Sequence, residues 1–108
     1  MAAPRFITDR RNDIVALCRQ HHARRLELFG SATRADFDAA RSDLDFLVSF
    51  DELPPVAYYD AFFSLKEGLE ALFNRPVDLV VERAVRNPYL RQRVDAGRQS
   101  VYAPMATA

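Results

Sequence analysis

Two aspartates, Asp43 and Asp45, stand two residues apart in a short apolar run, and a third, Asp78, sits inside another. Alternate residues of an extended chain share a face, so Asp43 and Asp45 project together with their Cα atoms roughly 6.6 Å apart. Both carboxylates can then converge on shared cations. Without a cation the pair is a cost, because like charges crowd each other beside a packed sheet. Leu44, Phe46 and Val48 face the other way, and Asp78, between Val77 and Leu79, has the same in-out phase. It meets the first pair if the two strands are neighbours. Three carboxylates with open water positions suit magnesium, which takes carboxylate plus substrate phosphate; they do not suit zinc. His21-His22, at a helix end, reads as solvated. A plainer reading of the same residues is open: Asp43 caps a turn and Asp45 pairs with an arginine.

Gly30-Ser31 comes shortly before the aspartate pair, at a strand-to-turn junction. Glycine lets backbone approach a phosphate closely, and the N–H groups of a following turn point at it. Ser31 adds a hydroxyl donor, and Arg34 adds charge about one turn later. An ordinary tight turn would also explain a lone Gly-Ser.

These residues need elements to hold them. Thr8 or Asp9 can cap a first helix running to about His22, with Ile14, Val15, Leu17 and Cys18 as its apolar stripe. Arg24 to Phe29 reads as a strand, Ser31 as the start of a short helical turn, and Ala35 to Arg41 as a polar loop. Asp43 to Phe50 is the clearest strand. Pro54-Pro55 breaks the chain before a long helix over about Val56 to Phe73. Arg75-Pro76 opens a strand from Val77 to Glu82, and Asn87-Pro88 starts a helix that ends near Gly97. Gln99 to Ala103 adds a short edge strand. The order predicts an α/β (α+β) fold, with a small mixed sheet flanked by helices.

Composition sets bounds. A chain of 108 residues reads as one domain, 1–108, with no room for a second substrate-binding lobe. Fifteen basic residues balance fifteen acidic ones, so bulk charge makes no case for nucleic acid or an anionic membrane. Lys66 is the sole lysine among the cations, and Cys18, the sole cysteine, falls on the apolar stripe of the first helix. It reads as core, not nucleophile. No apolar run approaches transmembrane length, and the start lacks a signal peptide's apolar stretch. The expectation is a soluble cytoplasmic protein.

Taken together, Gly30-Ser-Ala-Thr-Arg34, Ser42-Asp-Leu-Asp-Phe-Leu-Val48 and Val77-Asp-Leu-Val80 resemble the DNA-polymerase-β-like nucleotidyltransferase superfamily. The pattern is most similar to the minimal, MNT-type branch, the antitoxin partners of HEPN-domain toxins. Asn87 to Gly97 and Val101-Tyr102 resemble that branch's ending, so the likeness covers nearly the whole chain. Ala35 departs from it, standing where the branch carries glycine.

The resemblance implies a polymerase-β palm-like fold and transfer of AMP from ATP to an acceptor hydroxyl, with release of pyrophosphate. It implies two magnesium ions held by Asp43 and Asp45, and Asp78 completing the site nearer the acceptor and helping to deprotonate it. Gly30 and Ser31 would hold the β- and γ-phosphates, with Arg34 as a helper. The implied acceptor is a tyrosine hydroxyl on a HEPN toxin, which is thereby neutralised in a hetero-oligomer. A purely steric antitoxin and a small-molecule nucleotidyltransferase are the competing readings. A glycosyltransferase, where Asp-x-Asp also recurs, needs more chain than this.

Overall fold

The structure, a computed structural model, describes residues 5–30 and 43–103. Two helices, α1 (Arg5–Thr8) and α2 (Arg11–Gln20), precede strand β1 (Ala23–Phe29). Strand β2 (Leu44–Phe50) leads into the long helix α3 (Pro55–Phe73) and strand β3 (Val77–Val81). A 3₁₀ turn (Glu82–Ala84), helix α4 (Pro88–Gly97) and strand β4 (Gln99–Tyr102) complete the described chain. No helix among the described residues is long and apolar enough to cross a membrane.

The first helix is in two pieces, not the single element expected from Thr8 or Asp9. The Thr8 hydroxyl donates back to the Arg5 carbonyl at 3.1 Å, and α2 begins after Arg10 with no side-chain cap. The short α1 puts Ile7 into the core and sets Phe6 edge-on to Phe73, with ring centroids 6.1 Å apart. Elsewhere the punctuation works as read. Pro55 opens α3, Asn74 ends it in a left-handed conformation, and the Asn87 side chain accepts from the Tyr89 N–H at 2.8 Å.

The four strands run β3-β2-β1-β4; β1 is antiparallel to both neighbours, and β3 is parallel to β2. One face of the sheet carries Leu26, Leu28, Leu44, Phe46, Val48, Val77 and Leu79, and helices α2 and α3 cover it through Ile14, Cys18, Leu65 and Leu69. Burial pushes the Cys18 thiol up to about 12, so Cys18 acts as a small core hydrophobe. A second, smaller core lies on the other face, where Phe29 and Leu47 meet Val85 and Val94 beneath α4. That face also carries Asp45 and Asp78 near one end and Glu27 on β1, so it is only partly apolar.

Candidate active site

Asp45 is the second residue of β2 and Asp78 the second of β3, and the parallel register pairs them directly. Neighbouring strands lie about 4.8 Å apart, so the two side chains leave the sheet side by side. On its other flank Asp45 pairs with Phe29, the last residue of β1 before Gly30. Asp43 immediately precedes β2; it and Asp78 are exposed, while Asp45 is half-buried. The strand starts are tied together: the Leu44 N–H donates to the Pro76 carbonyl at 3.2 Å.

Glu70, from the last turns of α3, pins the start of β3. Its Oε2 accepts from the Val77 N–H at 3.1 Å and from Lys66 Nζ at 3.2 Å. The Val77 bond first, and Lys66 second, hold the Glu70 carboxyl below its usual value. The residue so anchored is the one before Asp78.

Gly30 closes the site from the β1 side. Its φ of +75° lies in the left-handed region. A Cβ built there would collide with the Asp45 carboxylate, standing 3.2 Å from its Cγ. The missing side chain is therefore the space in which the Asp45 carboxylate lies against the Gly30 backbone. Ser31, Arg34 and Ala35 lie outside the described residues.

Farther along the same face, Arg98 spans the sheet. Its Nη2 and Nε donate to the two oxygens of Glu27 on β1 at 2.6 and 3.0 Å, and Nη2 also reaches Glu82 after β3 at 2.5 Å. The Glu27 fork, above all, raises the guanidinium's already high pKa. This brace links the strands on either side of β2. Sequence reasoning missed it, because Glu27 and Arg98 stand at opposite ends of the chain and no local pattern joins them.

Among the described residues, no three His, Cys, Asp or Glu side chains gather tightly enough to hold a metal ion alone. His21 and His22 take no part: His21 is half-buried, and burial first, then neighbouring His22, hold its imidazole below the usual value. The donor set nonetheless fits magnesium, which takes one or two carboxylates and leaves the other positions to water and phosphate. Asp45 and Asp78 stand in register, Asp43 immediately precedes β2, and the Asp45 carboxylate lies against the Gly30 backbone.

Residues 14–100 match the nucleotidyltransferase domain family. The chain belongs to this family. Over 76 residues, 70% of this nucleotidyltransferase and 74% of its relative, it is 34% identical to a Methanocaldococcus jannaschii protein provisionally named protein adenylyltransferase MJ0128. A solved structure described as a minimal nucleotidyltransferase is 35% identical, with a TM-score of 0.59; the match covers 85% of this chain and 89% of that one. A complex of a tri-AMPylated Shewanella oneidensis HEPN toxin with its MNT antitoxin matches with a TM-score of 0.61. That match covers 90% of this chain and 72% of the other at 24% identity, a likeness of fold. The mixed four-stranded sheet and the enzyme class expected from the sequence are thus established: an adenylyltransferase-like nucleotidyltransferase on the minimal fold.

Proposed function

We propose that this nucleotidyltransferase moves AMP from ATP to a tyrosine hydroxyl of a HEPN-domain toxin and thereby neutralises it. The observation that carries the reading is the in-register pair Asp45–Asp78 beside a glycine whose missing Cβ makes room for the Asp45 carboxylate. The relative's adenylyltransferase name supports the adenylyl group as cargo. The fold's likeness to an antitoxin in complex with an AMPylated HEPN toxin supports the partner.

In this reading Asp43 and Asp45 would hold two magnesium ions, and Asp78 would join them on the acceptor side. Bound there, magnesium would neutralise the leaving pyrophosphate and lower the acceptor hydroxyl's pKa. Asp78 takes the acceptor proton. Gly30 and Ser31 hold the β- and γ-phosphates, with Arg34 as an added charge. Little covalent work is left for the protein, so the rate comes from positioning and charge stabilisation. The described fold is one sheet with its helices, and the partner closes the site over base and acceptor. Both meet ATP in the cytoplasm, where we place them.

The test mixes the chain, its HEPN partner, magnesium and ATP, and follows intact mass. The expected result is a gain of AMP on one partner tyrosine, absent with Asp45→Asn. Brisk transfer to a free small alcohol by the chain alone would overturn the protein acceptor. Undiminished neutralisation by Asp45→Asn would establish steric blockade instead.

A further inference from the structure

The acceptor expected above is a tyrosine presented by another protein, and a second copy of this chain can present one. We propose that one copy adenylylates Tyr89 of another, an inference that rests on the adenylyl-transfer reading.

The chain has four tyrosines, and packing separates them. The Tyr58 ring lies between Phe50, at 5.3 Å, and the Arg83 guanidinium, at 4.6 Å. Tyr102 is half-buried against the main core. Tyr59 is 65% exposed, but its ring rests on Phe63 at 4.6 Å. Tyr89 is 79% exposed, and no ring or guanidinium contact holds it among the described residues. Its backbone, in contrast, is fixed: Asn87 caps its N–H, and the following Leu90 and Val94 pack into the second core. An exposed phenol on an anchored turn can enter a narrow cleft with little backbone ordering to offset.

Charge favours the same pairing. Exposed Arg86 stands three residues before Tyr89, and half-exposed Arg91, two residues after it, is paired with Asp95 at 3.9 Å, while the donor end exposes Asp43 and Asp78. The basic acceptor end of one copy complements the acidic donor end of the next. Transfer within one copy is disfavoured by topology, since Asp78 lies at the start of β3 whereas Tyr89 follows its far end and the 3₁₀ turn. The contact is head-to-tail between copies.

In the step, the Tyr89 oxygen attacks the α-phosphorus of ATP and an O–P bond forms. The bond from that phosphorus to the α,β-bridging oxygen breaks, pyrophosphate leaves with the electron pair, and the phenol proton passes through Asp78 to solvent.

The experiment incubates the full chain with magnesium and ATP, alone and in parallel with its HEPN partner, followed by intact mass and peptide mapping. The expected result is one AMP on Tyr89, with a rate per chain that rises with chain concentration. Tyr89→Phe should cut self-labelling at least about tenfold while leaving transfer to the partner unchanged. Asp45→Asn should not label itself but should accept AMP from wild type in a mixture. Label on Tyr59, or a rate indifferent to dilution, would overturn the proposal. A labelled partner beside an unlabelled chain would also overturn it and leave the adenylyl-transfer reading standing; no label on either would sink both.

Discussion

The Asp45 carboxylate occupies the space that a β-carbon on residue 30 would need. Gly30 and Asp45 are thus fitted to each other, and the fit makes a double-variant test possible. Gly30→Ala meets both a left-handed backbone, at a cost of about 1–2 kcal/mol, and the carboxylate itself. It should lower thermal stability and abolish nucleotide binding. In an Asp45→Ala background the same change should cost measurably less, because the colliding oxygen is gone. Equal costs in both backgrounds, read by chemical denaturation, would refute the fit.

Asp45 and Asp78 should behave as a repelling pair in metal-free buffer. Either aspartate changed to asparagine should hold or raise the melting temperature there, and Asp45→Asn should remove nucleotide transfer. Magnesium should raise the melting temperature of the wild type more than that of either variant. Asp78→Asn is expected to lower turnover more than donor affinity. Full transfer activity in Asp45→Asn would end the metal assignment.

The Arg98 brace predicts an asymmetry. Arg98 is 26% exposed and Glu27 12%. Arg98→Met leaves two part-buried carboxylates without their cation and should cost about 2 kcal/mol, less than for a fully buried pair. Adding Glu27→Gln and Glu82→Gln should restore much of that loss. A triple variant no more stable than Arg98→Met would show that the guanidinium contributes packing only.

Acid should loosen the start of β3. The Glu70 carboxyl is held below its ordinary value in the folded chain, so its bond to Val77 stabilises the fold above the unfolded value of about 4.3. That contribution fades as pH falls through the lower folded value. Unfolding followed between about pH 5 and pH 3 should show a steeper loss for wild type than for Glu70→Gln. Parallel curves would remove Glu70 from the account.

Much of this site is legible in the sequence, for local reasons. Alternation in Leu44-Asp-Phe-Leu-Val48 sets the aspartate face, and Asn87-Pro88 and Gly30 mark turns whose backbone demands few other residues meet. Cys18 falls in the core as its spacing implies. The rest depends on tertiary pairing. Nothing near Asp78 says that β3 runs parallel to β2 in the register that meets Asp45. Nothing near Thr8 says that its hydroxyl turns back to Arg5 and leaves α2 uncapped. The phosphate contacts expected of Ser31 and Arg34 lie outside the described residues.

The parallel pairing of β2 and β3 has a kinetic side. Parallel neighbours cannot be joined by a tight turn, and here the whole of α3 intervenes between Asp45 and Asp78. Closing that long loop comes before the contacts that reward it, so this pairing belongs among the later events of folding. A chain that has collapsed around α2, α3 and the β1–β2 hairpin would then be compact and helical yet hold only part of its carboxylate site. Transfer activity should therefore return after the helical signal when the protein is refolded. The enzyme's own chemistry would report the docking of β3.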